Sequence, residues 1–295
     1  PAGFYYKTFM HPRSWWKHIF EPVIRRSAGL GKAPYSADAD RYEHFYYHTD
    51  VLVVGAGIAG LEVAYNLAKS GAKILLIEQA SYLGGRSLVD EFSINNGTSA
   101  GWIKDIETQL SGFENVKIRT NTMASGVYDH GYVLAYERVA DHLPGNGQPR
   151  HRLWRIRAKR VVTATGAIER PLVFPGNDIP GVMLASAIRD YHKLYGISPG
   201  DRTVVLTNND DAYKTAIELN KSGLSVPAII DTRSDVNSPI FDYVKSLGIK
   251  VKTGKGVSKV VGSKRLTSIG ICSHARASSS AFGCCASAAR ARSGQ

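Results

Sequence analysis

The 295-residue sequence predicts an α/β fold, for three reasons. First, residues 50–85 follow a strand–helix–strand pattern: "DVLVVGAG" predicts a strand, a helical pattern follows, and "KILLIE" predicts a second strand. Second, a similar βαβ pattern begins at Arg202 with "RTVVLT". Third, "GVYDHGYVLAYERV" and "HRLWRIRAKRVVTATG" alternate polar and apolar residues around the turn-forming "LPGNGQP", which predicts an antiparallel meander between the two units.

The first βαβ unit carries the glycine pattern of a dinucleotide site between its strand and its helix. Gly55 permits a tight turn, Gly57 leaves room for a pyrophosphate, and Gly60 lets the helix and strand pack closely. The helix N-terminus offers unpaired N–H groups to the phosphates. Glu78 ends the second strand, where its carboxylate can accept hydrogen bonds from ribose hydroxyls and repels the 2′-phosphate of NADP. These residues alone leave NAD and FAD both open.

Two further motifs favour the FAD/NAD(P)-binding Rossmann-like, two-dinucleotide-domain fold of disulfide-reductase-like flavoproteins. In "YLGGR", the glycine pair that ends at Gly85 brings the backbone near the pyrophosphate, and Arg86 can contact the ribose or a phosphate. "VVTATG" resembles a strand-end motif of the same folds, in which Thr165 and Gly166 pass close to the cofactor. At this point FAD is the default ligand.

The second βαβ unit has no glycine loop. "TNNDDA" occupies residues 207–212 instead, and Asp210 and Asp211 can cap the helix through their side-chain oxygens. They also place negative charge where a pyrophosphate would lie. We therefore expect this unit to be a structural layer that binds no dinucleotide in the ordinary way.

Composition and motifs bound the remaining functions. No C-x-x-C, metal-binding histidine pattern, G-x-S-x-G or P-loop is present, so we predict neither catalytic residues nor metal ligands, and any redox chemistry falls to a cofactor. The net charge is +12, with a strong source in residues 150–160. Without a nucleic-acid-binding motif, we interpret that segment as a solvated basic strand or a surface for an acidic partner subunit. No apolar run approaches ~18 residues, and the cysteine pattern favours the cytoplasm.

We expect four regions along the chain. Residues 1–48 form an aromatic and basic arm in which helical spacing predicts a short amphipathic helix, packed on another subunit or on this chain's own core. Residues 49–200 form the glycine-rich domain with the meander, and 201–271 an incomplete glycine-free βαβ domain. Residues 272–295 are an atypical tail, either a flexible linker or a frameshifted end. Because the first residue is not Met, we interpret the chain as an internal piece of a longer protein.

Several quoted segments together resemble one family. "EPVIRRSAGLG", "DADRYEHFYYHTDVLVVGAGIAGL", "VVTATGAIERPLVFPGNDIPGVMLASAIRDY" and "TNNDDAYKTAIEL" are similar to the α subunits of heterotetrameric sarcosine oxidases, over about residues 3–271. The glycine-free "TNNDDAY" makes the resemblance specific, since that family also lacks a second glycine loop. The related subunits of opine oxidases and hydrogen cyanide synthase share the architecture.

The resemblance implies a cofactor and partners. It implies NAD in the glycine-rich domain, where motif position carries over contacts to Ala59, Glu78, Gln79, Ala80, Arg86 and Val127. That family often has Thr or Ser at the position of Arg86. The resemblance also implies β, γ and δ partner subunits, with FMN at the interface with the β subunit.

The implied reaction belongs to the assembled complex. It converts sarcosine, tetrahydrofolate and O2 to glycine, 5,10-methylenetetrahydrofolate and H2O2, and the amine is oxidised on the flavin of the β subunit. The chain lacks the family's folate-binding domain, so we expect no complete activity from it alone. The alternatives are an FAD-dependent NADH oxidoreductase, an opine or amino-acid oxidase subunit, and a non-catalytic fragment or scaffold.

Overall fold

The computed structural model describes residues 9, 11–31, 35–90, 92–143, 147–273 and 287–289. The chain divides into two compact units. One comprises Pro1–Glu43 with Val139–Arg152, and the other comprises His44–Arg138 with Leu153–Gln295. Cys284 and Cys285, in the segment interpreted as a tail, lie outside the described residues.

A helical segment near the start of the chain belongs to the first unit, as the residue spacing predicts. It consists of α1 (Arg13–Trp15), a π-helical turn (Trp16–Phe20) and α2 (Glu21–Ser27). None of its residues is buried. Trp15, Ile19 and Val23 expose 49%, 45% and 59% of their surface, so the amphipathic face remains in contact with solvent.

A six-stranded sheet forms much of the second unit. Its strands are β1 (Arg41–Val54), β2 (Ile74–Ile77), β5 (Val116–Arg119), β6 (Thr122–Tyr128), β7 (Tyr132–Arg138) and β8 (Pro149–Thr163), while β3 (Ser93–Ile94) and β4 (Gly97–Thr98) form a separate hairpin. The strand order is β5-β2-β1-β8-β7-β6. β2 pairs in parallel with β1 and β5, and β6 pairs antiparallel with β7. The predicted parallel unit and the predicted meander are both confirmed.

Helices pack on this sheet and close the first core. They are α3 (Ile58–Ala68), α4 (Ser87–Asp90) and α5 (Ser99–Ser111). Leu61 of α3 and Ile106 of α5 are buried together with Val53 and Leu76 of the sheet. All four residues of β2 are buried, which explains why its sequence is an uninterrupted apolar run.

The second βαβ unit forms a separate four-stranded sheet, again as predicted. It contains β9 (Arg202–Thr207), β10 (Ser225–Asp231), β11 (Val251–Lys252) and β14 (Ser287–Ala289), in the order β11-β10-β9-β14. The helices α6 (Ala185–Tyr195), α7 (Asp211–Lys221) and α8 (Pro239–Ser246) accompany it, and β12 (Lys255–Gly262) forms a hairpin with β13 (Leu266–Ser273). β9 and β10 are parallel, as a βαβ crossover requires. The fold is therefore an α/β FAD/NAD(P)-binding Rossmann-like fold.

Candidate dinucleotide-binding site

The three glycines of the first loop have different surroundings. Gly55 has φ +98°, and a Cβ there would lie 2.4 Å from the Ala164 carbonyl oxygen. A Cβ on Gly60 would lie 1.9 Å from the Gly55 carbonyl oxygen. A Cβ on Gly57 would have no neighbouring atom within 4 Å. Gly55 and Gly60 are thus required by packing, whereas Gly57 borders open space at the N-terminus of α3, which fits the approach of a pyrophosphate.

Glu78 lies immediately after β2 and faces this loop. Its carboxylate is 9% exposed and accepts hydrogen bonds from the N–H of Ala56 at 2.7 Å and of Ala80 at 2.9 Å. Because each carboxylate oxygen has two lone pairs, the group can also accept from ribose hydroxyls. Its negative charge beside the loop is unfavourable for a 2′-phosphate.

The second glycine pair contacts the first loop directly. The N–H of Gly84 donates to the Ala56 carbonyl at 2.8 Å, and Gly57 and Gly84 form a β-bridge. A Cβ on Gly85 would lie 3.4 Å from the Gly57 Cα. The structure therefore brings together Gly57 and Gly85, which the sequence assigns to one site from positions 28 residues apart.

Arg86 makes two ion pairs in the structure. Its Nη1 lies 2.8 Å from Oδ1 of Asp190, and its Nη2 lies 3.2 Å from Oδ1 of Asp90. Burial opposes the charge, but these two carboxylates raise the pKa of the guanidinium. The charge of Arg86 is thus balanced within the protein, and contact with a phosphate would have to share or replace these pairs.

The other predicted site residues fall into two groups. Thr165 lies against the first loop, with its Cα 3.3 Å from a Cβ built on Gly55, and Gly166 follows with φ +70°. Ala59 and Gln79 are exposed and Ala80 is partly exposed, in the first turn of α3 and after β2. Val127 lies elsewhere. It is near the far end of β6, about 16 Å along the strand from Thr122 at about 3.3 Å per residue.

Sequence reasoning missed the segment that borders Glu78 on its other side. The N–H of Asn121 donates to the Ala80 carbonyl at 2.8 Å, and that of Thr122 donates to the Glu78 carbonyl at 2.7 Å. Arg138 donates from Nη2 to the Gln79 carbonyl at 3.0 Å. The signal that could have found this segment is its position after β5, because ligands of open α/β sheets bind at the carboxyl ends of the strands.

Comparisons with known proteins agree with this geometry. Residues 49–277 match the pyridine nucleotide-disulphide oxidoreductase family. The chain belongs to this family. The domain is therefore an oxidoreductase-family domain of the FAD/NAD(P)-binding type. A thioredoxin reductase of T. acidophilum has the same fold, with a TM-score of 0.58 and 18% identity over 82% of this chain and 76% of that one.

The family members with the highest identity are sarcosine oxidase α subunits. That of Rhizobium meliloti (strain 1021) is 47% identical over 234 residues, which are 79% of this chain and 24% of the relative. The chain thus spans about a quarter of the length of these relatives, and over that quarter it is their homologue. The opine oxidase A-chain of the same organism is 28% identical over 74% of this chain and 45% of its own. Hydrogen cyanide synthase subunit HcnB of Pseudomonas aeruginosa is 25% identical over 74% and 50%.

In the second βαβ unit of this oxidoreductase domain, ion pairs replace the glycine loop. Asp231 ends β10, as Glu78 follows β2, and it is 0% exposed. It accepts hydrogen bonds from the Tyr213 hydroxyl at 2.8 Å and from Nη2 of Arg233 at 2.7 Å. The same nitrogen donates to Asp210 at 2.8 Å. Burial and the bond to Asp231 raise the pKa of Tyr213, which keeps its hydroxyl protonated as a donor.

The second aspartate of the loop is neutralised from the preceding helix. Arg189 of α6 is 3% exposed, and its Nη2 contacts Oδ2 of Asp211 at 2.6 Å. Burial raises the pKa of Asp211, but Arg189 and Lys214 outweigh it and hold the pKa below its usual value. The capping prediction is wrong, since neither Asp210 nor Asp211 makes the cap. The side chain of Asn209 accepts from the Asp211 N–H at 2.9 Å instead.

Two further searches concern the described part of the chain. No helix there is long and apolar enough to cross a membrane. No group of three or more His, Cys, Asp or Glu side chains there is placed to hold a metal ion.

Proposed function

We propose that this chain is the NAD-binding portion of the α subunit of a heterotetrameric sarcosine oxidase. The complex would convert sarcosine, tetrahydrofolate and O2 to glycine, 5,10-methylenetetrahydrofolate and H2O2, with the amine oxidised on the flavin of the β subunit. One observation carries the assignment. A glycine loop with open space at Gly57 and a clamped Glu78 stands in one βαβ unit, while Asp210, Asp231 and Arg233 pair with each other in the second.

NAD is the dinucleotide that we propose for the first loop. The N-terminus of α3, with Gly55, Gly57 and Gly60, would hold the pyrophosphate, and Glu78 would accept from the ribose hydroxyls. The remaining contacts that we propose are Ala59, Gln79, Ala80, Gly85, Arg86, Val127, Thr165 and Gly166. A bound NAD supplies hydride-transfer chemistry at its nicotinamide. This chain's own residues bind and orient it, and we assign none of them a catalytic step.

The choice of NAD over FAD rests on two supports. The first is the 47% identity with a sarcosine oxidase α subunit, together with the resemblance noted from the sequence motifs. The second is the paired state of the second loop. An independent FAD enzyme that oxidises NADH needs a second nucleotide site, and Arg189 and Arg233 already neutralise the carboxylates of that loop.

The proposal includes partners and a place in the cell. We assign the chain β, γ and δ partner subunits, with FMN at the interface with the β subunit, in the cytoplasm and without nucleic-acid or membrane partners. Within the chain we propose the division into 1–48, 49–200, 201–271 and 272–295. The exposed face of the helical segment, with Trp15, Ile19 and Val23, suits contact with another part of the complex.

Release of the bound nucleotide tests this proposal. The purified chain is denatured, the released ligand is identified by mass spectrometry, and NADH oxidation is assayed on the native protein. We expect NAD without flavin and no NADH turnover. Stoichiometric FAD with NADH turnover would instead indicate an independent oxidoreductase, and the absence of any nucleotide would indicate a scaffold or fragment.

A second candidate, one component of an opine or amino-acid oxidase, has specific support. The chain covers 45% of the opine oxidase A-chain, compared with 24% of the sarcosine oxidase α subunit, although its identity to the former is only 28%. The full-length protein, co-expressed with its flavin-bearing partner, separates the two. Sarcosine-dependent H2O2 formation supports the first assignment, and oxidation of opines alone supports the second.

A further inference from the structure

A cleft of about 460 Å³ opens in the second unit, away from the glycine loop. Its walls come from β1, β8, the start of β2 and the turn between β6 and β7, namely His48, Thr49, Asp50, Lys73, His130, Arg157, Ala158 and Lys159. Lys73 immediately precedes β2, whereas Glu78 immediately follows it. The two lie about 16 Å apart at about 3.3 Å per residue, at opposite ends of that strand.

The lining of the cleft is basic. Lys73, Arg157 and Lys159 are cations, and Asp50 is the single carboxylate among the lining residues, which leaves a net charge of +2 when His48 and His130 are neutral. The Lys159 ammonium lies 2.7 Å from Oδ1 of Asp50. Lys159 is 80% exposed, and such surface pairs contribute little, so its ammonium can turn toward a ligand. A concave surface of one charge sign concentrates ions of the opposite sign.

Arg157 is held in place by its neighbours. Its guanidinium carbon lies 4.7 Å from the centre of the Tyr132 ring, and its Nη1 donates to the His130 carbonyl at 3.4 Å. A guanidinium has five N–H donors, so most of them remain available. Lys73 is placed similarly, with its Nζ 4.6 Å from the centre of the Tyr47 ring. Cations fixed on a sheet lose less conformational entropy when a ligand binds.

The turn that carries His130 is itself constrained. His130 has φ 58° and ψ 33°, a left-handed conformation that side chains other than glycine rarely adopt. The next residue, Gly131, packs so closely on β8 that a Cβ would lie 2.0 Å from the Ala158 carbonyl oxygen. The turn therefore presses on the strand beside Arg157, and unusual backbone conformations of this kind concentrate at ligand sites.

We propose that this cleft binds a small polyanion with two or more oxyanion groups, phosphate or carboxylate. Its cations come from separate strands and would therefore contact several oxyanions rather than one. Arg157 supplies directional donors, and Lys73 and Lys159 supply point charges. The site is separate from the glycine loop and is independent of the function proposed above.

Isothermal titration with pyrophosphate and with citrate tests the site. The titrations are made on the NAD-saturated chain so that a dinucleotide occupies the glycine loop. The test variant is Arg157→Gln/Lys73→Gln, and the control is Lys104→Gln/Arg265→Gln, which removes two exposed cations outside the cleft. We expect pyrophosphate, citrate or both to bind, and the cleft variant to weaken binding by about tenfold or more, since two charge-assisted contacts are lost.

A third variant separates loss of the site from loss of the fold. Arg157→Lys keeps the charge but not the planar donors, and we expect it to retain part of the affinity. Comparable melting temperatures across the variants confirm folding. The proposal is overturned when neither anion binds the wild-type chain at millimolar concentration, or when the control variant weakens binding as much as the cleft variant. Binding of pyrophosphate but not citrate identifies the ligand class as phosphate, and the reverse identifies a polycarboxylate.

Discussion

Glu78 and Asp231 occupy the same place in the two βαβ units, after the second strand, yet they bind different partners. Glu78 accepts from two backbone N–H groups, those of Ala56 and Ala80, and retains lone pairs for a ribose. Asp231 accepts from Arg233 and from the Tyr213 hydroxyl. The ligands of each acid therefore decide which unit can take a dinucleotide.

The substitution Glu78→Gln measures the contribution of the first acid. The amide presents an NH2 where one oxygen accepted a backbone N–H, and it removes the charge that binds ribose hydroxyls. We expect NAD affinity to fall by roughly 1–3 kcal/mol, measured by calorimetry. The control is Glu107→Gln on the exposed face of α5. Equal NAD affinity in the two variants would exclude Glu78 from the site.

The glycines of the loop give a matched pair of variants. Gly57→Ala adds a methyl group where the structure has open space, so the chain should fold normally but bind NAD at least about tenfold more weakly. Gly60→Ala forces a methyl group onto the Gly55 carbonyl and should lower stability by about 1–3 kcal/mol or more. Thermal unfolding and NAD titration measure both. A Gly57→Ala protein with wild-type NAD affinity would contradict the assigned position of the pyrophosphate.

At the scale of elements, the second βαβ unit keeps the strands and helix of a nucleotide-binding unit but fills its loop with its own charges. Arg233 is central, because it bridges Asp210 and the buried Asp231. Arg189 performs the corresponding role for Asp211. These contacts stabilise the unit and occupy the carboxyl ends of its strands.

The variant Arg233→Leu tests the structural role of this unit. It leaves the Asp231 carboxylate buried with only Tyr213 and the backbone N–H of residue 233 as donors. We expect a loss of about 2–4 kcal/mol in the free energy of unfolding, since the guanidinium is 32% exposed and the pair is only partly buried. Urea unfolding measures it, and Arg233→Leu/Asp231→Asn should recover part of the loss. NAD affinity should not change, and a parallel loss of affinity would indicate a nucleotide in this unit.

At the scale of the whole molecule, the fold could be predicted where the cause of structure is local. Apolar runs such as Ile74–Ile77 and the glycines at 55, 57 and 60 determine the first βαβ unit through burial and steric fit. Contacts between distant residues could not be predicted in this way. Arg86 pairs with Asp190, 104 residues away, because packing brings α4 against α6, and the sequence has no periodicity that encodes it.

The candidate site divides along the same boundary. Motif spacing was sufficient to bring Gly57, Glu78 and Gly85 to one place. It could not place Val127 relative to β6, nor find Asn121 and Thr122 beside Glu78, because those positions depend on where a strand begins after a tight turn. The chain corresponds to about a quarter of the sarcosine oxidase α subunits, so the activity of the whole complex depends on parts outside it.

The central claim is that one βαβ unit of this chain holds NAD and the second holds none. Native mass spectrometry of the chain titrated with NAD, after removal of any nucleotide purified with it, tests this most directly. We predict a single NAD per chain, lost in Gly57→Ala and retained in Arg233→Leu. Two nucleotides per chain, or a single one that survives Gly57→Ala and is lost in Arg233→Leu, would contradict it.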